Sequence, residues 1–153
     1  MVYFLDIDGV MVHANPHRKV ELEEDGFYKF SELAIAAIQA VFNPSCDEII
    51  LSSSHRYKYS LKQWKRIFER RGIELNKFNI IDNKQAFQKK LVSRRAELEQ
   101  WIENQNLEVE ELVIIDDDKS LNDLPKDLKS RLVLTKSYVG LLSIEEIKKV
   151  LNF

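Results

Sequence analysis

Residues 2–10 read VYFLDIDGV, an apolar run that ends in two aspartates and a glycine. The run at 2–7 is apolar and too short for a typical helix, so it predicts a buried strand. Residues i and i+2 of an extended chain point to the same side, which places the carboxylates of Asp6 and Asp8 together. Adjacent carboxylates repel each other, and one pKa rises unless a cation offsets the charge. This stretch therefore predicts a strand that ends in an acidic site.

Apolar runs and amphipathic stretches alternate along the rest of the chain. Further strands are predicted at 48–51, 78–81, 112–115 and 131–134. Helices are predicted at 31–42, 61–71 and 84–104. Ser31 is a suitable N-cap, and a last helix is predicted from Ser143, because Ser143 and Glu146 have the spacing of a capping box. The alternation favours an α/β fold, a doubly wound (Rossmann-like), mostly parallel five-stranded sheet with helices on both faces.

Length and composition indicate one domain over residues 1–153. With 44% apolar and 31% charged residues, the chain is neither disordered nor membrane-spanning in composition. The N-terminus lacks the basic leader of a signal peptide, and Cys46, as the only cysteine, permits no internal disulfide. We therefore expect a cytoplasmic domain with no membrane partner.

Side chains that carry chemistry follow three of the predicted strands. Besides Asp6 and Asp8, a serine-rich run from Ser52 to Arg56 follows the second strand, and three aspartates from Asp116 follow the fourth. In an open parallel sheet these strand ends meet at one edge. Oxygen ligands in this number suit Mg²⁺, which binds one or two carboxylates together with water and the phosphate oxygens of a substrate. A metal offsets the repulsion between phosphate and an anionic nucleophile, and a second carboxyl can protonate the leaving oxygen.

The order of these groups resembles that of the haloacid dehalogenase (HAD) superfamily over nearly the whole chain. DIDGV at 6–10 looks like its motif I, and VIIDD at 113–117 resembles its motif IV. The serine after IIL at 49–51 resembles its motif II. The resemblance implies a HAD-like phosphatase fold.

Within that superfamily, the chain is most similar to the small HAD domains associated with Swiss Army Knife RNA-repair proteins. The run RRAELEQWI at 94–102 is similar to their Arg-x-x-Glu-(Ile/Leu)-x-x-Trp-(Leu/Ile) helix. The Ser-Ser-x-x-Arg run and the late pair Gly140 and Leu141 also resemble that group. The group usually has Trp where this chain has His55. Histidines after strands are more often structural, so neither His13 nor His55 receives a role.

The resemblance implies a role for each matching residue. Asp6 would attack phosphorus and become an aspartyl-phosphate, and Asp8 would act as general acid and then as general base. Ser52 would hold a phosphoryl oxygen. Asp116 and Asp117 would complete a Mg²⁺ site with Asp6 and the backbone carbonyl of Asp8. A magnesium-dependent phosphomonoester hydrolase is the function that these roles imply.

Several assignments stay open. Arg94, 22 residues before Asp116, is the first candidate for the cation of motif III, and Lys90, one helical turn earlier on the same face, is the second. Ser53 could replace Ser52 if the strand runs longer. Ser53, Arg56 and Lys90 are further candidates for substrate binding.

No inserted cap domain is predicted. Arg94 lies 41 positions after Ser53, and this stretch must hold two helices and a strand. The segment at 11–27 is long enough only for a flap. An open, capless site suits substrates whose own bulk excludes water, such as nucleic-acid ends or phosphoproteins.

Charge is uneven along the chain. Residues 55–95 hold 13 Lys and Arg against three acids, about +10, and the remainder carries about −12. Solvated helix faces explain this as well as an anionic partner does. Basic residues interleaved with aromatics at 56–66 can also track a phosphate backbone and stack bases. With the resemblance, this favours RNA ends with a 3′ or 2′,3′ terminal phosphate as substrates.

Three other functions remain to be weighed. A phosphoprotein phosphatase would share the fold and differ in substrate. A phosphorylated receiver domain is disfavoured, because its phosphorylated aspartate lies on a middle strand, where this chain has serines. A non-catalytic phosphate-binding or metal-binding module could use the same pocket, although no catalytic motif is missing. No partner protein can be predicted.

Overall fold

The chain forms one parallel sheet. The computed structural model describes residues 1–82 and 93–152. Its five strands, β1 to β5 in chain order, are Val2–Leu5, Glu48–Leu51, Lys77–Ile80, Leu112–Asp116 and Leu132–Leu134. All neighbouring strands pair in parallel, in the order β3-β2-β1-β4-β5. The predicted five-stranded α/β fold is confirmed.

Helices cover both faces of this sheet. The α-helices α1 to α5 are Glu32–Val41, Leu61–Arg70, Arg94–Asn104, Lys126–Lys129 and Ile144–Leu151. Two short 3-10 helices at Val109–Glu111 and Lys119–Asp123 flank β4. Side chains alternate across a strand, so Tyr3 and Leu5 enter one hydrophobic core and Phe4 enters the other. The first core contains residues of α1, α2 and α5, and the second contains residues of α3 and α4.

One helix start and one helix cap differ from the sequence prediction. The helix expected over 84–104 does not run through Ser93, whose side chain accepts a hydrogen bond from the backbone N–H of Ala96 and caps α3. The part of that prediction before Ser93, residues 84–92, lies outside the described residues. Ser143 does precede α5, but within the described chain its side chain makes no capping hydrogen bond. The Ser143 backbone is extended, with φ −156°, and the hydrogen bond to its side chain that a capping box requires is not made among the described residues.

Strand β1 ends at Leu5, two residues earlier than predicted. The carbonyl of Ile7 instead accepts hydrogen bonds from the N–H groups of Val10, Met11 and Val12, at 2.9–3.2 Å, and this turns the chain. Gly9, with φ +80°, makes the turn possible, because other residues rarely adopt this conformation. The chain thus leaves the sheet between β2 and β4, where strand order reverses and ligands bind in open α/β sheets.

None of the described helices is long and apolar enough to cross a membrane.

Trp64 is fully buried in the first core, and Trp101 packs against the second. All five described strands belong to one sheet.

Candidate active site

Three aspartates meet at the carboxyl ends of β1 and β4. Asp6 directly follows β1, and its backbone N–H donates to the carbonyl of Ile115, 3.1 Å away, in the adjacent strand. Asp116 is the last residue of β4, and Asp117 follows it. One carboxylate oxygen from each of the three aspartates lies within 4.8 Å of the others. The pairing of the two strands therefore builds the acidic cluster that the sequence predicts.

Backbone hydrogen bonds orient the two buried carboxylates. The N–H of Ile7 donates to Oδ1 of Asp6 at 2.8 Å. Oδ1 of Asp116 accepts from the N–H groups of Asp117, at 2.8 Å, and Asp118, at 3.1 Å. With one oxygen of each carboxylate held by the main chain, the side chains are preorganised rather than free to rotate.

Arg94 supplies the cation of the cluster. As the first residue of α3, it extends its guanidinium to 2.7 Å from Oδ2 of Asp116 and 3.6 Å from Oδ1 of Asp6. The same Nη1 lies 3.5 Å from Oγ of Ser52, at the end of β2. Residues from three strand ends and one helix therefore surround a single point. The alternative cation, Lys90, lies outside the described residues.

Burial sets the electrostatics of this point. Desolvation raises the pKa of Asp6 well above its usual value, the nearby Asp116 adds to the rise, and Arg94 only partly opposes it. Desolvation likewise raises the pKa of Asp116 despite Arg94. Burial by itself would lower the pKa of Arg94, but Asp116 and Asp6 more than offset this, so its pKa lies above the usual value. Two crowded carboxylates with one cation favour binding of a further positive charge.

The donor set fits a hard divalent cation. Asp6, Asp116 and Asp117 offer only carboxylate oxygens, the ligands that Mg²⁺ and Ca²⁺ accept. Gly9 allows the third ligand to come close, because a Cβ at this position would overlap the carboxylate of Asp117. The structure thus brings the carboxylates of Asp6, Asp116 and Asp117 together. The ligand predicted from Asp8 is its backbone carbonyl, and its carboxylate lies outside this cluster of described carboxylates.

Asp8 faces a different neighbour. Its Oδ2 lies 2.8 Å from Nε2 of His55, and its side chain is 40% exposed, whereas that of Asp6 is 6% exposed. The turn after β1 thus separates two carboxylates that an extended chain would have placed side by side. One is buried with the cation, and the other lies at the rim. The sequence left His55 without a role, and only the fold brings it to Asp8.

Two predicted substrate-binding residues, Ser53 and Arg56, lie in the interior instead of on the surface, together with the catalytic candidate Ser52. Ser52, Ser53 and Arg56 are 1%, 0% and 2% exposed. Arg56 donates to the carbonyls of Ile81, at 2.7 Å, and Ser53, at 3.1 Å. It also pairs with Glu97 at 3.4 Å. Arg56 therefore stabilises the loop after β2 from the interior of the protein. Its burial does not favour the predicted contact with substrate.

Two residues that the sequence left without roles support the site. Glu97, in the Arg-x-x-Glu run, lies 4.0 Å from Nε of Arg94 as well as next to Arg56. Thr135, after β5, donates its hydroxyl proton to the carbonyl of Gly9 at 2.6 Å and so anchors the turn that carries Asp8. The spacing of Glu97 from Arg94 could have signalled the first contact. Nothing local in sequence signals the second.

An all-parallel sheet with aspartates clustered at the ends of its central strands defines a HAD-like hydrolase domain. Comparison with protein families matches residues 2–145 to the family described as the HAD domain in Swiss Army Knife RNA repair proteins. The match spans nearly the whole chain, so the chain belongs to this family, and the resemblance of its motifs is confirmed. No curated protein matches the chain.

Proposed function

We propose that this protein is a magnesium-dependent phosphomonoester hydrolase with Asp6 as its nucleophile. The observation that carries the proposal is the convergence of Asp6, Asp116, Arg94 and Ser52 on one buried point, with Asp8 at its rim. A buried carboxylate beside a guanidinium and a hydroxyl offers both a nucleophile and donors for phosphoryl oxygens. Bound Mg²⁺ would supply the positive charge that lets an anionic nucleophile approach a phosphate.

In this mechanism Asp6 attacks phosphorus, and a bond from its carboxylate oxygen forms as the bond to the leaving oxygen breaks. Arg94 and Ser52 hold phosphoryl oxygens. Asp8 gives its proton to the leaving oxygen, which releases the alcohol and leaves an aspartyl-phosphate. Asp8 then takes a proton from water as the water oxygen bonds to phosphorus and the bond from phosphorus to Asp6 breaks. This step releases inorganic phosphate and regenerates Asp6 and protonated Asp8. The rim position of Asp8 suits a group that must meet leaving group and water in turn.

Phosphate release tests this function. We expect the full chain to release phosphate with Mg²⁺ and to lose turnover when a chelator is added. A panel of phosphate-ended RNA, phosphopeptides, nucleotides and an aryl phosphate identifies the substrate class, and fastest turnover of phosphopeptides would favour the phosphoprotein phosphatase. A folded protein that binds Mg²⁺ but turns over no member of the panel would contradict the proposal and favour a binding module.

The metal site makes a prediction at Gly9. In Gly9→Ala the new methyl group would displace Asp117, so we expect the Mg²⁺ affinity to fall about 10-fold or more, or about 1.4 kcal/mol. Gly26→Ala is the matched control, because Gly26 has φ +83° and no described atom lies within 4 Å of the added Cβ. Gly26→Ala therefore introduces the same backbone strain as Gly9→Ala without a steric clash. Mg²⁺ titration calorimetry measures both variants, and equal affinities would contradict a metal site that includes Asp117.

We further propose terminal phosphates of RNA as the substrate. Family membership supports this, and so does the surface formed by Lys58, Tyr59, Lys62 and Arg66, which we call the basic–aromatic surface. Its three basic residues are exposed. The ring of Phe27 links it to the site, since Nζ of Lys58 and the ring of His55 both lie 5.7 Å from that ring. Tyr59 and Arg66 also line a cleft of about 320 Å³ beside α2.

Salt dependence tests the RNA proposal. Three phosphate contacts on a single strand give a slope of about −2 in log affinity against log salt, since each contributes about −0.7. We therefore expect kcat/KM for a phosphate-ended oligonucleotide to fall about 20-fold from 50 to 200 mM salt. An aryl phosphate should respond much less. Equal salt responses of the two substrates would contradict RNA binding.

A charge-removal variant sharpens this test. Replacing Lys58, Lys62 and Arg66 together with Ala should remove most of the salt dependence and leave turnover of the aryl phosphate unchanged. The matched control replaces three exposed lysines on other elements with Ala, Lys126, Lys129 and Lys149. If both triple variants lose activity on RNA alike, the basic–aromatic surface is not the binding surface.

A further inference from the structure

His55 contacts Asp8, the general acid and base of the proposed reaction. It follows β2 by four residues, and its Nε2 is 2.8 Å from Oδ2 of Asp8. The side chain of His55 is 23% exposed, so the contact lies at the wall of the site and not in open solvent. An exposed ion pair contributes little because its side chains stay mobile. The contact between His55 and Asp8 can therefore fix the Asp8 carboxyl only if the imidazole itself is held in place.

The fold holds the imidazole from several sides. The backbone N–H of His55 donates to Oγ of the buried Ser53 at 3.1 Å, which fixes the loop. The ring packs edge-to-face against Phe27, at 5.7 Å and 81°, and against Tyr28, at 5.3 Å and 89°. Phe27 is only 1% exposed and packs in turn on Trp64, at 5.1 Å. The ring is thus continuous with the first hydrophobic core, and its Nε2 has a defined position.

We propose that His55 is a positioning residue, which fixes the Asp8 carboxyl for proton transfer to the leaving group. The role rests on the proposed phosphatase function. In this role the N–H at Nε2 of His55 donates to Oδ2 of Asp8, 2.8 Å away. The other carboxyl oxygen, Oδ1, carries the acidic proton and passes it to the leaving oxygen as the bond from phosphorus to that oxygen breaks. His55 neither gains nor loses a proton in this step.

This role has a signature that packing alone would not produce. A poor leaving group, such as the alkoxide of a ribonucleoside 3′-phosphate, needs the proton from Asp8, whereas p-nitrophenolate leaves without one. The ratio kcat/KM reports the steps up to formation of the aspartyl-phosphate, in which the leaving group departs. Misplacing Asp8 should therefore slow the first substrate and spare the second. A general structural defect would slow both.

Two amide variants test the proposal. His55→Gln places an amide NH₂ near the position of Nε2, and His55→Asn places it near Nδ1, out of reach of Asp8. For a ribonucleoside 3′-phosphate we expect kcat/KM to fall about 30–100-fold in H55N, and within about 5-fold of wild type in H55Q. For p-nitrophenyl phosphate, both should stay within about 3-fold of wild type. His17→Asn, at an exposed histidine, is the control and should leave both rates unchanged.

The outcomes separate the two proposals. Equal losses on both substrates, or equal losses in H55N and H55Q, would overturn the role of His55 while an active wild type upholds the phosphatase. A wild-type protein that hydrolyses neither substrate with Mg²⁺ would overturn the proposed function, and this role with it. Thermal melts of the variants show whether each is folded before the rates are compared.

Discussion

Asp6→Asn is expected to abolish phosphate release, with kcat reduced about 10⁴-fold or more, and at the same time to stabilise the metal-free protein. The amide cannot form the aspartyl-phosphate, so turnover stops. It keeps the shape of the side chain and an oxygen that accepts from the N–H of Ile7. It also removes a buried charge from beside Asp116, where desolvation and that neighbour raise the pKa of Asp6.

The stabilisation should depend on pH in a defined direction. Because the folded state raises the pKa of Asp6, the protonated acid is favoured by folding, and this contribution to stability is complete below the unfolded pKa of about 3.9. It is lost as the pH rises through the folded-state pKa. The variant and wild type should therefore unfold with equal free energy near pH 4. The variant should be the more stable of the two at pH 8 in chelator, because the wild type then holds a buried charge that the amide lacks.

Urea denaturation across this pH range measures the difference. Added Mg²⁺ should stabilise the wild type more than Asp6→Asn, because a divalent cation offsets the charge that the variant lacks. A variant less stable than wild type at pH 8 in chelator would contradict the electrostatic account. Retained turnover in the variant would contradict Asp6 as nucleophile, whatever its stability.

Arg94→Ala should affect stability in the opposite direction. It leaves Asp6 and Asp116 buried without their guanidinium, so we expect the metal-free protein to lose about 3 kcal/mol of unfolding free energy. Loss of a donor to the phosphoryl group should also lower kcat/KM about 10²–10³-fold. Arg94→Lys should fall between wild type and Ala, because an ammonium keeps the charge but not the planar fork that reaches several oxygens.

The next residue provides the control for Arg94. Arg95 extends away from the cluster and donates to the carbonyl of Asp123 at 3.3 Å, so Arg95→Ala should change stability by less than about 1 kcal/mol and leave turnover intact. Steady-state kinetics and denaturation in chelator measure both variants. Full activity in Arg94→Ala would make Lys90 the candidate cation again.

The sequence predicted the sheet well, because short apolar runs can be buried in few other ways. It also predicted that Asp6, Asp116 and Asp117 share an edge, since parallel strands end on the same side. Helix boundaries were predicted less well. The amphipathic pattern concealed the cap at Ser93, because it continues through this residue although the Ser93 backbone is extended and not helical.

The sequence by itself determined the parallel sheet, the order of the catalytic motifs and the aspartates at the strand ends, since these follow from local pattern and spacing. Only the tertiary structure decided which way each side chain turned. Arg56 went inside to brace Ser53 and Ile81, and His55 turned to Asp8. The reason is physical: Ile81 lies 25 residues from Arg56 and Asp8 lies 47 residues from His55, so these hydrogen bonds exist only once the sheet has formed.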